Sequence, residues 1–250
     1  MRLSRRVFAL MCLTLLAPGV ATADDAASRE IVAKAIENAG GEKLLAKYKA
    51  STSKLKGTLQ VNGATVAFTG ELSLQGANQY RIQIAFVLDG QSISFISVLN
   101  RDQGWLKINN DTIDMPAELL AETKESAYSG WVSTLVPLKD KAFQLTPFGE
   151  AEVAGRKATG INVTREGHRP VNLFFDKEKL TLVRTESRVR DETTAQEVTE
   201  ESTYSEYKTV EGTQQAMKVV VKRNGKPHAE IEVEEVKLSE KLDDSVFAKP

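Results

Sequence analysis

Side chains able to make or break bonds are scarce in this sequence of 250 residues. Its two histidines are His168, in the turn-forming run Glu166-Gly167-His168-Arg169-Pro170, and His228, just after Pro227. Neither has a neighbour at metal-ligand spacing. The single cysteine, Cys12, falls in an N-terminal apolar stretch and cannot help either histidine. No G-x-S-x-G, P-loop or H-E-x-x-H motif occurs. Asp243-Asp244 pairs two carboxylates, but in an irregular tail where turn and cap chemistry is their ordinary use. The residues therefore predict no catalytic group, no metal and no cofactor, and a protein that is not an enzyme.

A second constellation is electrostatic. Arg184, Arg188 and Arg190 alternate along one segment, and Glu197, Glu200, Glu201 and Glu206 occupy the next. If the two segments pair, the charges form cross-strand ion pairs of roughly 0.2–1 kcal/mol each and protect an edge from aggregation. The other use of residues 184–208 is as a docking surface for an envelope protein.

The third constellation is apolar. Phe68, Tyr80, Phe86, Phe95, Trp105, Trp131, Phe174 and Phe175 are the large rings. The first five fall in a stretch from Leu55 to Ile108 that alternates at period two. Leu59 and Val61 lead to Asn62-Gly63, then Val66, Phe68, Leu72 and Leu74 lead to Gln75-Gly76. Tyr80, Ile82, Ile84, Phe86 and Leu88 run up to Asp89-Gly90, and Ile93 and Phe95 continue towards Trp105, Leu106 and Ile108. Alternation of this kind marks half-buried strands, and Asn-Gly and Asp-Gly are strong hairpin signals. The result is an antiparallel meander with one greasy face. That face is larger than the few hundred Å2 a soluble monomer usually exposes, so protein or ligand must cover it.

The elements that can provide cover are short helices. Ser28 to Lys49 has a helical apolar stripe, with Ser28 as N-cap and a split at Gly40-Gly41. Pro116 opens a second helix running to Val136, with Leu119, Leu120, Trp131, Leu135 and Val136 as its apolar residues and Gly130 as a weak point. Strands resume at residues 142–148, 158–164, 171–175, 180–190, 196–207, 217–222 and 229–236, the last two joined at Asn224-Gly225. Leu242, Val246 and Phe247 dock the tail. About five strands precede the second helix and six or seven follow it. The fold class is α+β, a large antiparallel sheet of about eleven strands with helices on one side.

Residues 1–23 stand apart. Arg2, Arg5 and Arg6, an apolar run from Val7 to Leu16, and Ala21-Thr22-Ala23 before Asp24 compose a secretory signal peptide. Ser4-Arg5-Arg6-Val7-Phe8 also fits a twin-arginine export motif. The signal carries three arginines and no acid, so the mature chain is more acidic than the whole-chain net charge of −1. Interspersed, mildly acidic charge argues against nucleic acid as a partner. No later apolar run reaches the roughly 20 residues of a membrane span, so no transmembrane segment is expected in the mature chain. Residues 24–250 read as a single domain.

The order of signal, helix, meander, central helix and second run of strands resembles the periplasmic lipoprotein-carrier superfamily, the LolA/LolB-like or outer-membrane lipoprotein-sorting proteins. Gly70-Glu71-Leu72-Ser73-Leu74 followed by Gln79-Tyr80-Arg81-Ile82 is similar to that family's G-x-L-x-[VL] and [FY]-R pattern. Asn100-Arg101-Asp102-Gln103-Gly104-Trp105-Leu106 resembles its D-G-x-x-x-W segment, and Leu242-Asp243-Asp244-Ser245-Val246-Phe247 its tail. The resemblance implies an unclosed half-barrel with a helical lid over its concave apolar face, in the periplasm, binding acyl chains of lipoproteins or other lipids without catalysis. Leu72, Leu74, Tyr80, Ile82 and Trp105 would line or border the cavity. The apolar faces add Leu59, Val61, Val66, Phe68, Ile84, Phe86, Ile93 and Phe95, and the lid adds Leu120, Trp131 and Leu135. Alternation places Arg81 on the opposite face from Tyr80 and Ile82, so it is not assigned the lid-closing role an arginine plays in the carrier. The alternative is a cell-envelope sensor or scaffold of the same fold that docks a protein.

Overall fold

The computed structural model describes residues 23–61, 63–191 and 194–250. The expected signal, up to Thr22, and Asn62 of the first hairpin turn lie outside them. Among the described residues, three α-helices accompany a sheet of thirteen antiparallel strands. The first six strands are β1 (Ala50–Val61), β2 (Ala64–Gln75), β3 (Gln79–Leu88), β4 (Gln91–Asn100), β5 (Gln103–Ile108) and β6 (Asp111–Asp114). They form the expected meander with one strand more. The addition, Asp-Thr-Ile-Asp, carries a single apolar residue and has no alternation to read. The second run is β7 (Gln144–Val153), β8 (Arg156–Thr164), β9 (Val171–Asp176), β10 (Leu182–Arg190), β11 (Glu197–Ser205), β14 (Lys218–Arg223) and β15 (Lys226–Ser239), with a separate small hairpin of β12 (Lys208–Val210) and β13 (Thr213–Gln215). That hairpin turns at Glu211 and Gly212, with φ of 48° and 80°.

The spatial order is β6-β5-β4-β3-β2-β1-β15-β14-β11-β10-β9-β8-β7. The C-terminal strand β15 pairs with β1 and so joins the two meanders into one unclosed sheet. Turn chemistry sets much of the register. Asp89-Gly90 (φ 51° and 77°) and Asn224-Gly225 (φ 47° and 75°) have the paired positive φ of a two-residue hairpin turn. Register shifts at Lys54/Leu55, Pro147/Gly149, Leu182/Arg184 and Val221/Lys222 bend the strands where they occur.

Helix α1 spans Ala23–Asn38 and α2 Glu42–Lys47. The split at Gly40-Gly41 is as expected: both have positive φ, and a Cβ on Gly40 would lie 2.7 Å from the Gly212 carbonyl oxygen. The start is earlier than expected. Ser28 is not an N-cap; it lies inside α1 and is buried. Asp24 and Asp25 in the first turn complement the helix dipole, which extends the helix upstream. Asp25 also binds Arg29 at 2.7 Å and accepts the Leu145 amide at 3.0 Å, and Arg29 donates to the Leu138 and Phe143 carbonyls. Those bonds seat α1 on β7.

Helix α3 spans Ala117–Val132. Pro116 is its N-cap residue rather than its first helical one, and the helix stops four residues short of Val136. The Ser133 and Thr134 hydroxyls bond back to the Ser129 and Trp131 carbonyls, Leu135 takes φ 70°, and a 3-10 turn over Val136–Lys139 follows. Pro137 disfavours helical geometry at the residue before it. Gly130 does not interrupt α3; its penalty of about 1 kcal/mol is smaller than the gain from burying Tyr128 and Val132 on either side. Val32, Ile36, Tyr128, Val132, Phe143, Leu145, Ile161, Val163, Leu173 and Phe175 build the main core between α1, α3 and strands β7–β9.

Candidate functional site

Paired residues in adjacent antiparallel strands share a face, so the register maps the inner face, the one that carries α1 and α3. One row runs Val219, Ile231, Gly57, Phe68, Phe86, Ile93. The next runs Val233, Leu55, Gly70, Ile84, Phe95, Ile108. Here the structure gathers one cluster: Leu55, Phe68 and Ile84 buried, with Leu59, Leu72, Ile82, Phe86, Phe95, Ile231 and Val233 half-buried around them. All ten sit on strands. The main core, by contrast, lies at the β7–β9 end of the same face. Gly57 and Gly70 occur where the backbone of the neighbouring strand leaves no room for a side chain: a Cβ on Gly57 would lie 1.9 Å from the Glu230 oxygen, and one on Gly70 2.3 Å from the Gln83 oxygen. At the far end of β2–β4 an open depression of about 930 Å3 is lined from both faces of the sheet, by Val66, Phe68, Phe86 and Ile93 of the inner face and by Thr69, Ala85, Val87, Ser92 and Ser94 of the opposite one.

The sequence-derived set therefore divides. Leu59, Phe68, Leu72, Ile82, Ile84, Phe86 and Phe95 come together in the wall, and Val66 and Ile93 adjoin it in the depression. Val61 shares the inner face at the end of β1, paired with Ala64. Leu74 and Tyr80 pair with each other on the inner face near the start of α3. Burial raises the Tyr80 hydroxyl above its usual pKa. Leu120 reaches the same region, because Gly104 of β5 leaves room: a Cβ there would meet Met115 Sδ at 2.6 Å and Leu120 Cδ1 at 2.9 Å. Trp131 and Leu135 belong to the main core instead. Trp105 is on the opposite face, paired with Val98, and packs with Ile96, Val98 and the tail residues Leu242, Val246 and Phe247. Leu145, Ile161 and Leu173, absent from the set, fill the inner face under α1.

Helix α3 crosses this face and is tied down by a row of acids. Glu122 makes a two-pronged ion pair with Arg169, both bonds 2.8 Å, and accepts the Arg190 amide at 3.0 Å. Arg169 also donates to the Arg188 carbonyl at 3.0 Å. Glu125 accepts the Arg169 amide at 2.8 Å and lies 3.0 Å from His168 Nδ1, and His168 stacks on Tyr128 with centroids 3.7 Å apart. Glu118 reaches Arg190 at 3.5 Å. Burial would push the Glu122 carboxyl up, but the Arg169 hydrogen bonds and the Arg190 amide outweigh it and hold it below the usual carboxylate range. Sequence reasoning missed these residues. The signal was there in the spacing 118, 122, 125, which places three acids on one helix face.

The chemistry offered is packing and charge pairing. Among the described residues no group of three or more His, Cys, Asp or Glu is placed to hold a metal ion. The expected cross-strand pairing across residues 184–208 is present at Arg188–Glu197 (3.0 Å), while Arg184 pairs within its strand with Glu186 (2.8 Å) and Arg190 with Glu118 of α3.

No family model and no curated relative matches the sequence. Solved structures do match the fold. A DUF1329 family protein from Desulfovibrio piger superposes with a TM-score of 0.58 at 12% identity, covering 91% of this chain and 98% of that one. A LolA superfamily protein from Nitrosomonas europaea gives 0.56 at 10% identity, covering 89% and 97%. A domain named as an outer membrane lipoprotein-sorting protein from Vibrio parahaemolyticus gives 0.54 at 12% identity, covering 87% and 97%. The open sheet, the crossing helix and these superpositions together give the chain the fold of the LolA superfamily and of outer membrane lipoprotein-sorting domains.

Proposed function

We propose that the protein is a periplasmic carrier that shelters the acyl chains of a lipoprotein or another lipid between the inner-face wall and α3, without bond chemistry. The observation that carries this reading is the strand-only apolar cluster from Val233 across Leu55 and Phe68 to Phe95. Completing the burial of a large apolar side chain contributes up to roughly 1.5–3 kcal/mol, so a guest chain laid along seven half-buried residues has ample driving force. The signal at residues 1–23 supports delivery to the periplasm. The pairing of Arg184, Arg188 and Arg190 with carboxylates of this same chain favours a structural role for residues 184–208 over docking of a protein partner.

The test is direct. Protein purified from cells should release lipid detected by mass spectrometry, and the delipidated protein should take up a fluorescent fatty acid. Phe86→Asp should weaken uptake at least about tenfold, the effect of losing one large apolar contact. Gln83→Ala, on the exposed opposite face of the same strand, should leave it unchanged. Absence of both retained lipid and probe uptake in the wild-type protein would overturn the reading.

A further inference from the structure

The open depression at the far end of β2–β4 is a break in the sheet. β2 and β3 pair from Gln75–Gln79 to Phe68–Phe86 and then part, although β2 begins at Ala64 and β3 continues to Leu88. Each stays paired on its other side, β2 with β1 as far as Val61–Ala64 and β3 with β4 as far as Leu88–Gln91. A notch is left between the two hairpins, which is why residues of both faces line it. The register fixes which backbone groups point into it. Asn109 N–H donates to the Ser94 carbonyl at 2.8 Å, so Ser94 turns its backbone towards β5. Alternation then turns Ile93 towards β3, its partner Phe86 towards β4, and Ala85 and Val87 towards β2. The turn at Asp89-Gly90 requires the same phase, because Leu88 and Gln91 close it. Thr69 meets Ala85 across the β2–β3 ladder, and Thr65 and Ala67 turn the same way as Thr69. The N–H and C=O groups of Thr65, Ala67 and Val87 therefore point into the notch beyond the last rung of that ladder, and all three residues are exposed.

We propose that the notch receives an extended, uncharged peptide segment that adds to β2 as an antiparallel strand, and that this segment is the polypeptide next to the acylated residue of the carried lipoprotein. The identity of the segment rests on the carrier reading above. Backbone chemistry, charge and continuity with the wall each select this occupant. Free N–H and C=O groups two residues apart along one edge match the repeat of a strand, whereas a hydrocarbon chain leaves them unpaired. Antiparallel pairing is the stabler kind per residue. None of the lining residues is charged, in a chain of which 27% is, so the notch holds no counter-ion for an acidic or basic segment. Its two sides differ, with Phe68 and Phe86 on the inner face and Thr65, Ala67 and Ser92 on the outer. An added strand then turns apolar side chains inward and small polar ones outward. Phe68 and Phe86 also belong to the apolar wall. An acyl chain on the wall and the peptide joined to it thus occupy adjoining sites.

The experiment gives the full chain lauroyl-Ser-Val-Thr-Val-Ser amide, the same peptide with an acetyl cap, and lauramide, with binding followed by calorimetry and backbone amide exchange by NMR. The lauroyl peptide should bind about tenfold more tightly than lauramide, the value of one or two net hydrogen bonds. It should slow exchange at Thr65 and Ala67 and leave Val66 and Phe68, whose amides face β1, unchanged. Methylating the backbone nitrogens of its Ser and Thr residues should remove the gain, because residues that share a face with Thr65 and Ala67 turn those nitrogens to β2. Ala67→Pro deletes an N–H that β1 does not use, so it should remove most of the gain while lauramide binding holds. If that variant fails to fold, the methylated probe decides the matter by itself. Equal binding of lauroyl peptide and lauramide, with no protection at Thr65 and Ala67, would overturn the strand site and leave the carrier reading standing. Protection by the acetyl peptide with no binding of lauramide would remove the carrier reading and overturn the lipoprotein as occupant. Protection that appears on concentrating the protein alone would make a second copy of this chain the occupant and overturn the proposal.

Discussion

At the residue scale, the most consequential interaction is Glu122 with Arg169. It joins positions 47 apart in sequence and fixes the middle of α3 to the loop after β8. Glu122→Gln keeps the shape and removes the charge, leaving the Arg169 guanidinium without its counter-ion. The expected loss is about 1–3 kcal/mol at pH 7, scaled down from a fully buried pair because Arg169 is partly exposed. The pH dependence follows from the direction of the shift. Glu122 is held below its ordinary value in the folded protein, so its stabilisation is complete above the unfolded carboxyl value and disappears as pH falls through the folded one. Urea unfolding of wild type and Glu122→Gln should therefore differ at pH 7 and converge at acid pH. A gap that persists below the carboxylate range would show that packing rather than charge holds the pair.

At the scale of elements, two glycines, one within α3 and one beneath its start, have opposite meanings. Gly130 is a weakness: its Cβ position is open, so Gly130→Ala should stabilise the protein by about 0.5–1 kcal/mol through helix propensity. Gly104 is a requirement: a Cβ there would press on Met115 and Leu120. Gly104→Val should destabilise by about 1–3 kcal/mol through overpacking and lift the start of α3 from β5. Thermal unfolding of the pair checks both signs, and amide exchange in residues 117–121 should accelerate only in Gly104→Val. The sequence shows Gly130 as a helix weakener but not the role of Gly104. The glycine's need comes from a helix approaching across the sheet, and no local pattern encodes that approach.

At the scale of the molecule, the tail covers the apolar residues that β4 turns away from the inner face. Ile96, Val98 and Leu99 are all buried, although alternation puts Leu99 on the inner face and the other two outside. Phe247, fully buried, covers Ile96 and Val98. Leu242 N–H donates to Gln75 at 2.7 Å, Thr112 to the Pro250 carbonyl, and Lys249 pairs with Asp114 at 2.9 Å. Phe247→Ala should lower stability by about 3–5 kcal/mol, the range for emptying an aromatic site in a core. Acyl-chain uptake per folded molecule should survive, since the tail packs on the face away from the wall. A loss of uptake that exceeds the loss of folded protein would show that the two faces are coupled.

The local signals settled the elements. Period-two alternation and the Asp89-Gly90 and Asn224-Gly225 turns specify hairpins because each strand there meets its neighbour within a few residues. Gly40-Gly41 ends a helix because only glycine takes positive φ freely at that point. The same signals named most of the wall, from Leu59 to Phe95, because one face of each strand is consistently apolar. They could not place Trp105, whose strand has large residues on both faces, so that only the docked tail makes its side an outer one. Nor could they pair β1 with β15 or Glu122 with Arg169. Those contacts lie far apart in the chain, and their partners are selected by which surfaces remain to be buried once the hairpins have formed. The sequence by itself determined the hairpins, the helices and an apolar face in need of cover. The tertiary structure decided that α1 and the end of α3 fill the β7–β9 end of that face, that the start of α3 rests on β5, and that the apolar wall is left between them.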